Sequence, residues 1–199
     1  MVIDSLFPTP IGWFKNDAGI LKKENKYILN LDRKPNLGNS ISANKNVLED
    51  KQLKNLKDWI INKVDLYFEK THKPALDTKL YITQSWCNYT KKGEHHHKHS
   101  HRNSFISGVY YVQANIEQDR IKFFNDVYKQ LSVVAREYNV WNSETWYFNV
   151  ESDLLVLFPS CLNHMVETVD SDKERISLSF NTFLKGVIGN EEASTGLHL

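Results

Sequence analysis

Ser104-Phe-Ile-Ser-Gly-Val-Tyr-Tyr-Val-Gln113 is a short run dense in β-branched and aromatic residues, and the second half of the chain repeats that texture between polar breaks. Comparable runs cover residues 80–89, 120–124, 131–136, 144–150, 154–158 and 175–184. Side chains of this kind fit a pleated, half-buried surface, so each run reads as a strand. Upstream, between residues 49 and 70, Leu53, Leu56, Ile60, Val64, Tyr67 and Phe68 recur at steps of three and four with Lys and Asp between them, the period of an amphipathic helix. Pro74 ends it, since proline has no amide to donate and disfavours helix in the residue before it. Strands behind one helix predict a mainly β fold, a sandwich or jelly roll buttressed by an N-terminal helix. No period holds from Met1 to Val47, which reads as an extended, irregular lead-in. The expected organisation is one domain over 1–199, with lead-in 1–47, helix 48–73, β core 79–185 and tail 186–199. Residues 126–142 fit either a strand pair or a loop over the site.

Composition excludes several classes. Lys and Arg number 25 against 24 Asp and Glu, so no global basic field draws the chain to nucleic acid. Two cysteines, Cys87 and Cys161, are too few for a disulfide framework and fit a reducing compartment. The start, MVIDSLFPTPIGWF, has no cationic stretch followed by an apolar core, and the longest clean apolar run, Leu154-Leu-Val-Leu-Phe158, is far short of a membrane span. The expectation is a soluble cytoplasmic protein with no membrane or nucleic-acid partner.

Five of eight histidines fall in His95-His-His-Lys-His-Ser-His101. A His-rich tract can be a solvated basic loop, but spacing points further: in an extended chain residues i and i+2 project the same way, so His99 and His101 can offer two imidazoles to one ion. His164, after the 154–158 strand and the turn Pro159-Ser-Cys161, is the candidate third ligand. Two alternatives stay open, Asp126 completing the shell or His97 replacing one of the three. Ten residues separate His164 from Arg175, and Ser177 shares the strand face of Arg175. A guanidinium and a hydroxyl on one face can take a carboxylate end-on. The competing role for Arg175 is an ion pair with Glu174 or Asp172. Arg102, Asn103 and Ser104 are candidate substrate contacts. His95, His96 and His97 read as solvent-exposed loop residues, with lining the entrance or ordering the loop as the alternative, and Trp86, Trp141 and Trp146 as core or lid packing.

The motif His99-Ser-His101, the distal His164, and Arg175 and Ser177 at that separation resemble the iron(II)/2-oxoglutarate dioxygenases. The stretches LFPTPIG, HSHRNSFISGVYYV, LLVLFPSCLNHMVE and ERISLSFNTFLKG look like the group of such oxygenases found in marine bacteria and phages, and that likeness spans nearly the whole chain. The resemblance implies a double-stranded β-helix fold, Fe(II) as metal, 2-oxoglutarate as co-substrate, dioxygen as oxidant, and hydroxylation of a further, unidentified substrate in the cytoplasm, of a host if phage-encoded. It also implies co-substrate contacts from Asn88 and Tyr89, and from Tyr111 in preference to Tyr110. One position departs from the family pattern, since His101 stands where Asp or Glu is usual. Three neutral imidazoles leave a metal more Lewis-acidic and the site more positive. Two other functions remain open: a three-histidine oxygenase independent of 2-oxoglutarate, and a jelly-roll binding module whose metal only pins the loop.

Overall fold

Strand and helix follow the two periodicities of the sequence. The computed structural model describes residues 1–126, 131 and 133–199. In chain order its elements are β1 (Gly12–Lys15), α1 (Lys22–Leu29), β2 (Arg33–Pro35), β3 (Ser40–Ser42), α2 (Lys54–His72), β4 (Thr78–Thr90), β5 (His96–His99), β6 (Ile106–Gln113), β7 (Arg120–Phe124), β8 (Thr145–Asn149), β9 (Leu154–Pro159), β10 (His164–Val166), β11 (Arg175–Ile188) and β12 (Leu197–His198). The larger antiparallel sheet runs β1-β9-β6-β11-β4-β3-β2, with β12 on the end of β11, and the smaller runs β5-β10-β7-β8.

Alternation along the long central strands separates two cores. On one face of the larger sheet Leu178, Phe180, Tyr89, Tyr110, Leu155 and Leu157 pack against Leu56, Ile60, Val64 and Phe68 of α2. From the other face Val109, Tyr111, Val156 and Phe158 meet Ile121 and Phe123 of the smaller sheet. The rings of Phe123 and Phe158 lie 5.2 Å apart, edge to face, and tie the two sheets together. This is a two-sheet jelly roll with a helical buttress, the expected class. Gly108 is required by packing: a β-carbon there would sit 2.1 Å from the Phe180 ring.

The buttress helix starts later than the period suggests, after two short 3-10 turns at Val47–Glu49 and Lys51–Leu53. Leu53, at its N-cap, has no side chain able to accept from the first free amides. The buried carboxylate of Glu24, on α1, does so instead, accepting from the Leu56 amide at 3.0 Å. The helix closes at Lys73, in the left-handed conformation, one residue before Pro74.

Three expectations need correction. The lead-in is not irregular throughout, for it holds β1, α1, β2 and β3. These are pieces of three to eight residues, too short to establish a period: β1 pairs with β9, β3 with β4 and β2 with β3, while α1 is held by buried Ile28 and by Glu24 at the start of α2. The 131–136 strand does not form among the described residues, and Ser132 of that expectation lies outside them. β7 pairs directly with β8 from Arg120↔Asn149 to Phe124↔Thr145, which leaves no edge for an intervening strand; Val133 and Val134 are 86% and 92% exposed. The tail is partly ordered as strand, β11 continuing to Ile188 and pairing with β12.

Candidate metal centre

The histidine tract and the distal histidine are brought together by strand pairing. β5 and β10 are antiparallel neighbours with His99 directly opposite His164. His101 lies just past β5, its backbone amide donating to the Ser160 carbonyl at 2.9 Å. One ring nitrogen from each of His99, His101 and His164 falls within 4.8 Å of the others, and the Nε2 atoms of His101 and His164 are 3.4 Å apart. A metal about 2.1 Å from each nitrogen asks for a separation near 3 Å.

The second nitrogens decide which lone pairs are free. The Nδ1 of His99 is 2.8 Å from the His97 carbonyl and that of His164 is 3.0 Å from the Leu162 carbonyl. A carbonyl only accepts, so both rings carry the proton on Nδ1 and present Nε2 bare, the arrangement metal-binding histidines use. The His101 ring is stacked on Trp86 at 5.7 Å and hydrogen-bonded by Asn181. Beneath it Ser107 donates to Asn181 Oδ1 and shares a hydrogen bond with Ser160, which in turn meets Ser104. Burial, reinforced by the neighbouring imidazoles, pushes His101 down to about 4 and His164 well below the usual histidine range. Burial also lowers His99. All three are neutral near pH 7 and need lose no proton to bind a cation.

A cavity joins this cluster to the inner face of the larger sheet. There Ser177 of β11 stands between Asn88 of β4 and Tyr111 of β6 in one cross-strand row. Arg175, two residues along and only 3% exposed, has its guanidinium 5.0 Å from the centre of the Tyr111 ring. The carboxylates expected to neutralise it are engaged elsewhere: Glu174 pairs with Arg33 at 2.9 Å and Asp172 with Lys92 at 2.7 Å. Among the described residues no acidic side chain forms an ion pair with Arg175. Its Nε, the Tyr111 hydroxyl and Asn88 Oδ1 are buried without a hydrogen-bond partner. Burial pushes the Tyr111 hydroxyl up to about 12, with the Arg175 cation acting the other way. A buried cation and unsatisfied polar groups are costly unless a ligand completes them.

His99, His101, His164, Asn88, Tyr111, Arg175 and Ser177 therefore border one cavity. Tyr89 does not reach it: successive strand residues face opposite ways, and its hydroxyl donates to the Ile28 carbonyl in the helical core while Arg33 covers its ring. Tyr110 likewise points to that core and donates to Asp153. Arg102 and Asn103 are exposed on the loop after His101 and do not line the cavity, and Ser104 is used by the serine network. Asp126 is held on the surface by Lys98 and Asn163. Among the described residues the histidine groups contain no carboxylate; a second group, His96, His97 and His99, shares one member with the first. Trp141 and Trp146 are surface side chains rather than core, whereas Trp86 lines the cavity. Sequence reasoning missed Asn39, Trp86, Ser179 and Asn181. Alternation with Arg175 and Ser177 along β11 was the available signal for the last two.

Residues 84–181 match the family described as "Putative 2OG-Fe(II) oxygenase". No curated protein matches the sequence. Among solved structures the chain is similar to an oxidoreductase of the 2OG-Fe(II) oxygenase family from Burkholderia pseudomallei, with TM-score 0.61 and 11% identity over 86% of this chain and 83% of that one. HygX from Streptomyces hygroscopicus, solved with nickel, 2-oxoglutarate and hygromycin B bound, gives 0.58 and 10% over 87% and 82%. A prolyl-4-hydroxylase from Pseudomonas putida gives 0.53 and 12% over 87% and 92%. At these identities the likeness is one of fold, the double-stranded β-helix.

Proposed function

We propose, from the premise that residues 84–181 belong to the 2OG-Fe(II) oxygenase family, that this protein is an iron(II)- and 2-oxoglutarate-dependent dioxygenase acting on an unidentified substrate, with hydroxylation as the default reaction. The observation that carries this reading is the buried Arg175, without a counter-carboxylate among the described residues, in one cavity with three neutral imidazoles. The donor set fits the metal, since imidazole suits iron and three ligands leave positions open. It also fits the co-substrate, whose two negative charges meet a site with no acidic ligand and an unneutralised guanidinium.

His99, His101 and His164 would hold the iron, with the His97 and Leu162 carbonyls fixing the two flanking rings and Trp86 and Asn181 orienting the third. Arg175, with Ser177 beside it, receives the far carboxylate of 2-oxoglutarate, and Tyr111 and Asn88 complete its hydrogen bonds. Val109, Ile121, Met165 and Val166 give the cavity an apolar lining. Bound iron with 2-oxoglutarate and dioxygen supplies oxidative decarboxylation to succinate and carbon dioxide, coupled to oxidation of the second substrate.

An anaerobic titration of the protein with Fe(II) and 2-oxoglutarate tests this. A weak visible charge-transfer band is expected, lost in Arg175→Ala; no band at saturating ligand would overturn the assignment. His101 in place of a carboxylate favours a second reading, a three-histidine oxygenase that consumes oxygen with a thiol or reductant and is indifferent to 2-oxoglutarate.

A further inference from the structure

We propose that His96 is a hydrogen-bond donor to the co-substrate and not a metal ligand: its Nε2–H meets the carboxylate that Arg175 receives. This deepens the reading above and rests on it.

Composition alone does not separate His96 from its neighbours, because His96, His97 and His99 also lie close enough to hold an ion. Their second nitrogens separate them. His99 and His164 give Nδ1 to carbonyl oxygens and keep Nε2 bare. The Nδ1 of His96 faces Asn39 Nδ2 at 3.3 Å. An amide nitrogen only donates, so this Nδ1 must accept and the ring of neutral His96 carries its proton on Nε2. The Asn39 amide is held in that orientation because its Oδ1 accepts from Asn36 Nδ2 at 2.9 Å. Asn39 is itself buried. A ring with its Nε2 protonated presents no lone pair there to a metal. His97, the remaining member of the second group, has its Nδ1 buried without a partner and so lacks the acceptor that orients a ligand ring.

The position of His96 fits the same assignment. The Asn39 amide nitrogen is also 3.3 Å from Thr90 Oγ1, and Thr90 is the β4 register partner of Arg175. One buried amide thus bridges His96 to the strand position opposite the guanidinium, and His96 and Arg175 border the same cavity. The pair presents only donors, which a carboxylate satisfies and a cation does not.

The test uses full-length, nickel-loaded protein titrated by calorimetry with 2-oxoglutarate and with 2-oxopentanoate, which lacks the distal carboxylate. A neutral donor to a charged acceptor predicts that His96→Ala and Asn39→Ala each weaken 2-oxoglutarate by about tenfold or more, with nickel stoichiometry and 2-oxopentanoate binding unchanged. Reduced nickel binding by His96→Ala, equal loss for both oxo acids, or no loss for either overturns the inference. Absence of 2-oxoglutarate binding by the wild type overturns the parent reading with it, a distinguishable result. Histidine-ring nitrogen NMR of the metal-free wild type needs no variant: the Nε2–H tautomer is expected for His96, and Nδ1–H would refute it.

Discussion

Replacing Arg175 by methionine is expected to stabilise the ligand-free protein while removing most of the stabilisation that 2-oxoglutarate confers. Arg175 is 3% exposed and unpaired with any carboxylate among the described residues, and its Nε has no acceptor. A buried cation carries a desolvation penalty of several kcal/mol, offset in part here by the Tyr111 ring beneath it, worth about 2 kcal/mol. An unbranched apolar side chain of similar length removes both terms, for a net gain of about 1–2 kcal/mol, or roughly 4 °C in a protein of this size. With 2-oxoglutarate at a hundred times its dissociation constant, the wild type gains about 2.7 kcal/mol. Loss of two charge-assisted hydrogen bonds weakens binding about a hundredfold and reduces that gain to a few tenths. The assay is thermal denaturation of nickel-loaded wild type and variant, with and without 2-oxoglutarate. A variant less stable than wild type by more than about 1 kcal/mol, with its 2-oxoglutarate shift intact, would show that Arg175 is a structural cation and refute the site assignment.

Glu24→Ala removes the acceptor of the Leu56 amide and leaves a buried N–H unpaired, so a loss of about 1–3 kcal/mol is expected in chemical denaturation, with Glu24→Gln retaining part of it. Gly108→Ala drives a methyl into the Phe180 ring and is expected to destabilise by about 1–3 kcal/mol; Phe180→Leu in the same chain should recover stability, and no recovery would place the strain elsewhere. Burial raises the Tyr67 and Tyr111 hydroxyls to about 12 from 10, so the folded state binds their protons more tightly than the unfolded one. Their contribution is fully present below pH 10 and is lost as pH rises towards 12, predicting cooperative alkaline unfolding with tyrosinate absorbance appearing in the same step. His164→Ala is expected to abolish stoichiometric nickel binding by calorimetry, whereas Asp126→Ala, on the surface with Lys98, should leave it unchanged.

Much of the fold was legible because two periods are written plainly in the chain: the three-and-four step of Leu56, Ile60, Val64, Tyr67 and Phe68, and the β-rich runs that became β4, β6, β7, β8, β9 and β11. What stayed hidden was short. α1 and the strands β5 and β10 have too few residues to show a period: β5 and β10 form because they pair with each other, and α1 is anchored by buried Ile28 and by Glu24 at the start of α2. The converse case is the 131–136 run, apolar enough to read as a strand, where Val133 and Val134 stand exposed while β7 and β8 pair directly with each other.

By itself the sequence determined a mainly β chain with a helical buttress, the candidate metal-binding histidines, and Arg175 and Ser177 on one strand face. Local spacing carries that information, since i and i+2 in a strand share a face whatever the rest of the chain does. Tertiary structure decided that Glu174 and Asp172 turn to Arg33 and Lys92 rather than to Arg175, and that Asn88 faces the cavity while Tyr89 faces the helices. It also decided which nitrogen of His96, His99 and His164 carries the proton. Each of these depends on which group, far away in sequence, occupies the few ångströms around a polar atom, and that is set only when the two sheets close on one another.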